Sequence, residues 1–311
     1  MAVRRRRTGK RFVKRPTFRH ALARETPLVT PLAHDALSAR LIEDAGFNAF
    51  TVGGSAMLAA RHAYPDIGLI GLTDMADGLR DIAAASCLPF LADADDGYGD
   101  VKSVARTVAA YEAIGVSGFL LEDQDRDRKQ QRAEKAAAVA DEAVIEAKLR
   151  TALAARTNPE TFIIGRTDAY GPLGLNAAMR RAERFLALGV DGIFIAGLRS
   201  EDDYRRVGTA FKGAFLSAAM FEGGDTPWLA PADLGSMGFT QVSYPSSLLL
   251  RIVGAMQDGL AALRRHADGI EPLQPFAQAA PARSALDRAV RLSDWRTIET
   301  VAAGPATGPV K

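Results

Sequence analysis

The sequence predicts a (β/α)8 barrel, and three observations predict it. Eight short apolar runs that do not alternate with polar residues are spread over about 240 residues, the pattern of parallel strands covered on both faces. Four of these runs follow at once on a helical stretch that closes on glycine: "EDAGFNAFTV", "EAIGVSGFLLED", "LALGVDGIFIAG" and "GSMGFTQVSYP". No G-x-G-x-x-G follows the first run, which removes the main cue for an open dinucleotide-binding sheet.

In chain order the predicted strands are "PLVTPLA", "AFTVGG", "PFLADAD", "GFLLED", "FIIGRTDAY", "GIFIAG", "AFLSAAM" and "FTQVSYP". The first opens the barrel after a basic leader, and the second ends on the glycine pair of "GGS". The third and fourth end on acids, and the fifth on Arg166 and Asp168. The last three end on Gly197, Met220 and Tyr244-Pro245. Between them, segments such as "DVKSVARTVAAYEAIG" and "LNAAMRRAERFLALG" place apolar residues at helical spacing, and a terminal glycine suits the left-handed C-cap. The expected organisation is a basic, disordered arm over 1–22, a catalytic barrel over 23–268 and a C-terminal extension over 269–311.

Of the 311 residues 48% are hydrophobic, enough for one large core, and no stretch is long and apolar enough to span a bilayer. One cysteine, Cys87, excludes a disulfide framework and a cysteine zinc site, and fits a reducing, cytoplasmic compartment. The net charge of +2 conceals an asymmetry. Ten of the 39 Lys and Arg lie in residues 1–24, where there are no acids, so the remainder carries 29 basic against 37 acidic residues. The arm reads as a solvated extension; attachment to nucleic acid or another polyanion is the alternative, without the regular aromatic interleaving that base stacking needs.

In a barrel the polar residues that end the strands share the C-terminal rim, where barrel active sites lie. In order these are Asp35, then Gly53, Gly54 and Ser55, then Asp93 and Asp95, then Glu122 and Asp123, then Arg166 and Asp168. Asp93 and Asp95 are two apart on a strand and so are expected to point the same way, with Glu122 ending the adjacent strand. Carboxylates gathered in one mouth repel each other unless a hard cation lies between them. A set of oxygens with retained waters suits Mg2+, or Mn2+, better than calcium or zinc. Capping of the next helix, or pairing with Arg166, is the structural alternative for the two aspartates.

"ADADDGYGD", "GFLLEDQ", "IIGRTDAY" and "DALSARLIEDAGFNAFTVGGSAM" together resemble the isocitrate lyase and phosphoenolpyruvate mutase superfamily, over residues 20–300. The resemblance implies a (β/α)8 barrel, an Mg2+ site, small 2-oxo or 2-hydroxy acid substrates, and a homotetramer whose subunits swap a C-terminal helix, here "RSALDRAVRLSDWRTIETVAAG". Carried over by motif, it implies Asp93 as a direct metal ligand, with Asp95, Glu122 and Asp66 of "YPDIG" holding waters. It gives Gly53, Gly54 and Ser55 as donors to a substrate carboxylate, Arg166 as its clamp, Glu222 as a substrate-facing residue and Tyr98 as a residue shaping the mouth. A guanidinium suits the clamp because it is planar, permanently charged and bidentate.

The departures bear on the reaction. After "EDQ" the lyases carry a mobile Lys-Lys/Arg-Cys-Gly-His loop whose cysteine protonates the departing enolate, whereas this chain reads "DRDRKQQRAEKAAAVADEA". After the sixth strand, Ala196 and Gly197 stand where methylisocitrate lyases place a glutamate. Retro-aldol cleavage needs a base and an acid on opposite faces, but decarboxylation of a β-keto acid needs little beyond a metal to polarise the ketone and hold the enolate. The sequence therefore favours decarboxylation of oxaloacetate or a 3-substituted oxaloacetate, through a metal-bound enolate. The "GLRS" after strand six resembles the oxaloacetate decarboxylases, while Glu222 and Tyr244-Pro245 resemble the lyase branch.

The other readings are a 2-methylisocitrate or 2,3-dimethylmalate type of lyase, an oxaloacetate hydrolase, a phosphonate mutase, and a barrel without catalysis. Asp123, Asp125 or Tyr98 would have to activate water for hydrolysis, and Arg126, Arg128 and Lys129 would have to bind phosphoryl oxygens for the mutase, although a run so charged reads as a solvated face. His34 adjoins the first strand end and reads either as a site contact or as a hydrogen-bonded structural residue, and His62 and His266 have weaker claims on the site. Trp228 and Trp295 read as packing anchors.

Overall fold

The computed structural model describes residues 15–129 and 138–302. At its centre are eight parallel strands: β1 Leu28–Pro31, β2 Phe50–Val52, β3 Phe90–Asp93, β4 Gly118–Glu122, β5 Phe162–Thr167, β6 Gly192–Ile195, β7 Leu216–Ala219 and β8 Gln241–Tyr244. They are ordered β1-β8-β7-β6-β5-β4-β3-β2, and the ring closes through a bridge between Leu32 and Thr51, where Ala33 N donates to Thr51 O at 2.8 Å. This is the (β/α)8 barrel that the sequence predicts, and each apolar run supplies one strand. Gly46, Gly115, Gly189 and Gly238, which close the four quoted helical stretches, all have φ between 86° and 105°. A side chain there would force the costly left-handed backbone that glycine adopts freely.

Alternation along the strands sorts each run into two rows. Leu28, Leu91, Phe162, Ile164, Phe194 and Phe215 form one apolar cluster with Leu120 against it. Phe90, Phe119, Leu121, Ile163 and Ile193 pack in another with the helical residues Leu79, Val108, Leu149 and Phe185. The first row faces the barrel interior and the second faces the helices. Because the side-chain period is two, the interior rows that run through Leu91, Leu120 and Ile164 end on Asp93, Glu122 and Arg166. The core pattern thus aims these three polar groups at the mouth.

The opposite end of the barrel is closed by the helix Phe18–Arg24, whose Phe18 is 0% exposed. Its ring lies 5.6 Å from Phe162 and 6.1 Å from Phe215. Arg15 donates to Ala83 O, Ser86 O and Gly115 O at 2.8–3.0 Å. The arm boundary expected at residue 22 is corrected by these contacts: residues 15–24 belong to the folded body, because an aromatic side chain buried in the barrel's end anchors them. Residues 1–14 lie outside the described residues.

The C-terminal part is different. The helix Ser247–Ala267 follows β8, where a barrel's eighth helix would pack back on the sheet, yet none of its residues is buried. Leu250, Val253, Met256, Leu260 and Leu263 are all exposed. The helices Ala279–Ala289 and Leu292–Ala302 follow, and Arg40 Nη1 donates to Ala289 O at 3.3 Å. Trp228 and Trp295, expected as packing anchors, are 55% and 64% exposed within the single chain. Among the described residues no helix is long and apolar enough to cross a membrane.

Candidate active site

Asp93 ends β3 with its carboxylate held by backbone: Asp95 N donates to Oδ1 at 3.1 Å and Gly54 N to Oδ2 at 3.4 Å. Residue 54 lies directly against both carboxylates, since a Cβ there would stand at ordinary contact distance, 3.5 Å from Asp95 Oδ1 and 3.7 Å from Asp93 Oδ2. Asp95 is not on the strand. It has φ 42° and starts a turn in which Gly97, Tyr98 and Gly99 also have positive φ. The expectation that Asp93 and Asp95 share a direction by strand alternation is therefore corrected: Asp95 reaches the mouth because the turn carries it there. Neither aspartate caps the next helix, Val101–Ile114, whose cap is Asp100, accepting from Lys102 N and Ser103 N.

The acids meet on an ammonium. Lys129 Nζ lies 3.2 Å from Asp66 Oδ1, 3.1 Å from Asp95 Oδ1 and 3.3 Å from Glu122 Oε1, and its side chain is 7% exposed. The reading of the 125–129 run as a solvated face is overturned at this residue. The preceding Arg126 sets it in place: its guanidinium donates to Gly68 O, Ile70 O and Asp96, and lies 5.6 Å from the Tyr98 ring. Asp96 also accepts from Lys148 Nζ at 2.9 Å. Lys148 and Asp96 are absent from the sequence-based site, and Arg126 enters it only as a phosphoryl ligand for the mutase, as they fall on a helix, a turn and a loop with no strand-end pattern to expose them.

Arg166 is engaged by two acids. Its Nε and Nη2 each donate to Asp168 at 2.9 Å, and Nη1 stands 2.7 Å from Glu122 Oε2. A guanidinium has five N–H donors, so one on Nη1 and one on Nη2 remain beyond these three contacts. Its carbon lies 5.7 Å from the Phe194 ring.

Burial dominates the electrostatics. It pushes the Asp95 carboxyl up to about 7, with the like charge of Asp93 adding to the effect and Lys129 opposing it. Burial raises Glu122 in the same direction against the pull of Arg166 and Lys129. For Lys129 burial works against the charge, but Glu122 and Asp95 outweigh it and hold the ammonium above the ordinary lysine range. Asp66, Asp93, Asp95, Asp96, Glu122 and Asp168 stand against Arg126, Lys129, Lys148 and Arg166. When all are ionised, two negative charges are left over.

That surplus, the all-oxygen donor set and a cation already seated among three carboxylates fit a hard divalent ion. Among the described residues no group of three acids, histidines or cysteines is arranged to hold an ion as it stands, and the centre of this ring is taken by Lys129. Asp66, Asp93, Asp95 and Glu122 would hold it with water completing the shell, as is usual for Mg2+.

The other candidates are placed as follows. Gly53 and Gly54 open the helix Gly54–His62, and Ser55, in its first turn, is exposed toward solvent. The Tyr98 hydroxyl is 2.9 Å from that of Tyr111, which itself donates to Asp93 O at 2.7 Å, so Tyr98 supports the turn from within. Asp123 is turned away from the mouth and accepts from Thr167 Oγ1, Asp168 N and Arg181 Nη1 at 2.6–2.9 Å. Asp125 caps the short turn Arg126–Arg128 and pairs with Arg128. Glu222 lies beyond β7 and pairs with Arg251, outside the carboxylate ring. His34 is buried, is kept neutral by that burial, and has Nε2 3.9 Å from Asp35 Oδ2. Cys87 precedes β3, at the end of the barrel remote from the mouth.

The model of the family described as phosphoenolpyruvate phosphomutase matches residues 18–264. A probable 2-methylisocitrate lyase of Corynebacterium glutamicum is 39% identical over 253 residues, covering 81% of this chain and 82% of that protein. An oxaloacetate decarboxylase of Bradyrhizobium is 36% identical over 197 residues, 63% of this chain and 68% of that protein. Among solved structures, oxaloacetate acetylhydrolase in complex with the inhibitor 3,3-difluorooxalacetate superposes with a TM-score of 0.84 at 28% identity, covering 93% of this chain and 96% of that one.

Proposed function

Because the chain belongs to the phosphoenolpyruvate mutase/isocitrate lyase superfamily and is a carbon–carbon lyase acting on a small acid, we propose that it decarboxylates oxaloacetate or a 3-substituted oxaloacetate with Mg2+. The observation that carries this reading is a mouth with charge to hold a 2-oxo acid but no thiol acid to protonate a departing enolate. The chain's one cysteine is at the far end of the barrel. Among its four histidines, His34 alone adjoins a strand end, and it is turned to Asp35.

The two N–H groups left on Arg166 and the donors of Gly53 and Ser55, beside a Gly54 N–H already held by Asp93, would orient the substrate's 1-carboxylate and 2-oxo oxygen. A divalent ion at Asp66, Asp93, Asp95 and Glu122 would supply Lewis-acid polarisation of the 2-oxo group. The carboxylate lost as carbon dioxide needs no acid, and solvent can protonate carbon afterwards. Asp123, Asp125 and Tyr98 are all engaged elsewhere, which weighs against a water-activating role for any of them and so against hydrolysis. The second reading is the 2-methylisocitrate or 2,3-dimethylmalate type of cleavage, favoured by the 39% identity to a probable 2-methylisocitrate lyase.

The test is NMR of products from oxaloacetate, 2-methylisocitrate and 2,3-dimethylmalate with Mg2+ and with chelator, beside Asp93→Ala. Pyruvate should appear from oxaloacetate faster than free Mg2+ makes it, and fall to that rate in the variant. Succinate or propionate with pyruvate from the branched acids would move the reading to the lyase. Oxalate and acetate from oxaloacetate would move it to the hydrolase.

The unburied apolar face of Ser247–Ala267, together with exposed Trp295, Ile298 and Val301, supports a homotetramer with exchanged C-terminal helices. Light scattering should then give the mass of four 33.2 kDa chains, and a monomer at micromolar concentration would remove that part of the reading.

A further inference from the structure

The Lys129 ammonium occupies the place where the acids converge. An ammonium has three N–H donors, and here three carboxylates, Asp66, Asp95 and Glu122, stand 3.1–3.3 Å from the nitrogen. Little of the side chain reaches solvent, so the charge exists there only because those acids compensate it. The relation is mutual: Asp95 and Glu122 are buried, and beyond Lys129 the second oxygen of Asp95 has Arg126 Nη1 at 3.6 Å and that of Glu122 has Arg166 Nη1 at 2.7 Å.

We propose that Lys129 is the resident counter-cation of the Asp66, Asp95 and Glu122 ring, and that a divalent ion enters only by displacing its ammonium. The proposal rests on the metal-site reading above. Two cations in contact with the same three oxygens repel each other strongly in a site shielded from water, which favours exchange over co-occupancy. Arg126, tied to Gly68 O and Ile70 O, holds the backbone beside Lys129. The exchange is therefore a withdrawal of the flexible four-carbon stem, and it couples the position of Lys129 to the state of the metal. The lysine prevents the empty carboxylates from repelling one another, and it lowers the apparent affinity for metal by the same interactions.

The experiment is calorimetric titration of metal-free wild type and Lys129→Met with MnCl2, with melting curves of both. Methionine keeps the stem's bulk and removes the charge. The variant should bind Mn2+ at least about tenfold more tightly, a change of about 1.4 kcal/mol. It should also melt below wild type without metal and recover when Mn2+ is added. Equal or weaker Mn2+ binding by folded variant overturns the exchange while leaving the metal site standing. No Mn2+ binding by either protein overturns both.

Should the variant not fold without metal, wild type answers alone. Reductive methylation read by mass spectrometry should be slow at Lys129 relative to exposed Lys102 in the metal-free protein, and faster with Mn2+. An unchanged or slower rate with Mn2+ overturns the proposal.

Discussion

Arg166→Lys is expected to lower kcat/KM for oxaloacetate by about 10³-fold, the scale on which removal of a preorganised charged donor acts. The guanidinium reaches Asp168 with Nε and Nη2 and faces Glu122 with Nη1. It does so as one rigid plane, and still has two N–H groups for a substrate. A lysine has three donors on one nitrogen and cannot span Asp168, Glu122 and a substrate carboxylate together. If it abandons Glu122, that acid is left buried without the guanidinium, at a cost of about 1–3 kcal/mol in stability. The loss should fall on kcat as well as KM, since the same contact steadies the charge that develops on the substrate. Steady-state kinetics with Mg2+ at saturation, with a melting curve to confirm folding, decide it. A loss of less than about tenfold would mean that Arg166 serves the Glu122 and Asp168 pair and leaves the substrate to other donors.

The fold was legible because its rules are local. A C-terminal glycine and a run without alternation mark a helix-to-strand joint wherever they occur, and Gly46, Gly115, Gly189 and Gly238 all obey. The inward row of each strand then fixes where Asp93, Glu122 and Arg166 point. Lys129 followed no such rule. It lies in a run of alternating charge, and only the loop's path, set by Arg126 on Gly68 O and Ile70 O, turns it inward. Asp95 was placed in the mouth for the wrong geometric reason, because a positive φ at a non-glycine residue leaves no trace in spacing. Asp123, adjacent to Glu122 in sequence, faces the other way by the same alternation that aims Glu122, and is taken up by Arg181. That much could have been read from the strand period alone.

The largest effect on stability is expected far from the chemistry. Phe18→Ala should cost about 3–5 kcal/mol, the range for truncating a buried phenylalanine where the surroundings cannot collapse. Collapse is hindered here because Phe18 touches Phe162 and Phe215, whose rings are 4.8 Å apart at the ends of β5 and β7. The short helix that carries it buries only Ala21 besides, with Leu22 packed at the cluster's edge. Thr17 caps it by accepting from His20 N, and Arg19 lies over the Phe162 ring and pairs with Asp191. Both depend on the helix staying seated. Composition concealed this residue: ten basic side chains in 24 residues read as an arm, and one aromatic among them carries no periodicity. Urea unfolding at fixed protein concentration measures the cost, with Phe18→Leu as the variant that refills most of the space. A change below about 1 kcal/mol for Phe18→Ala would mean that the barrel's end holds without its plug, and that residues 15–24 dock on a core already complete.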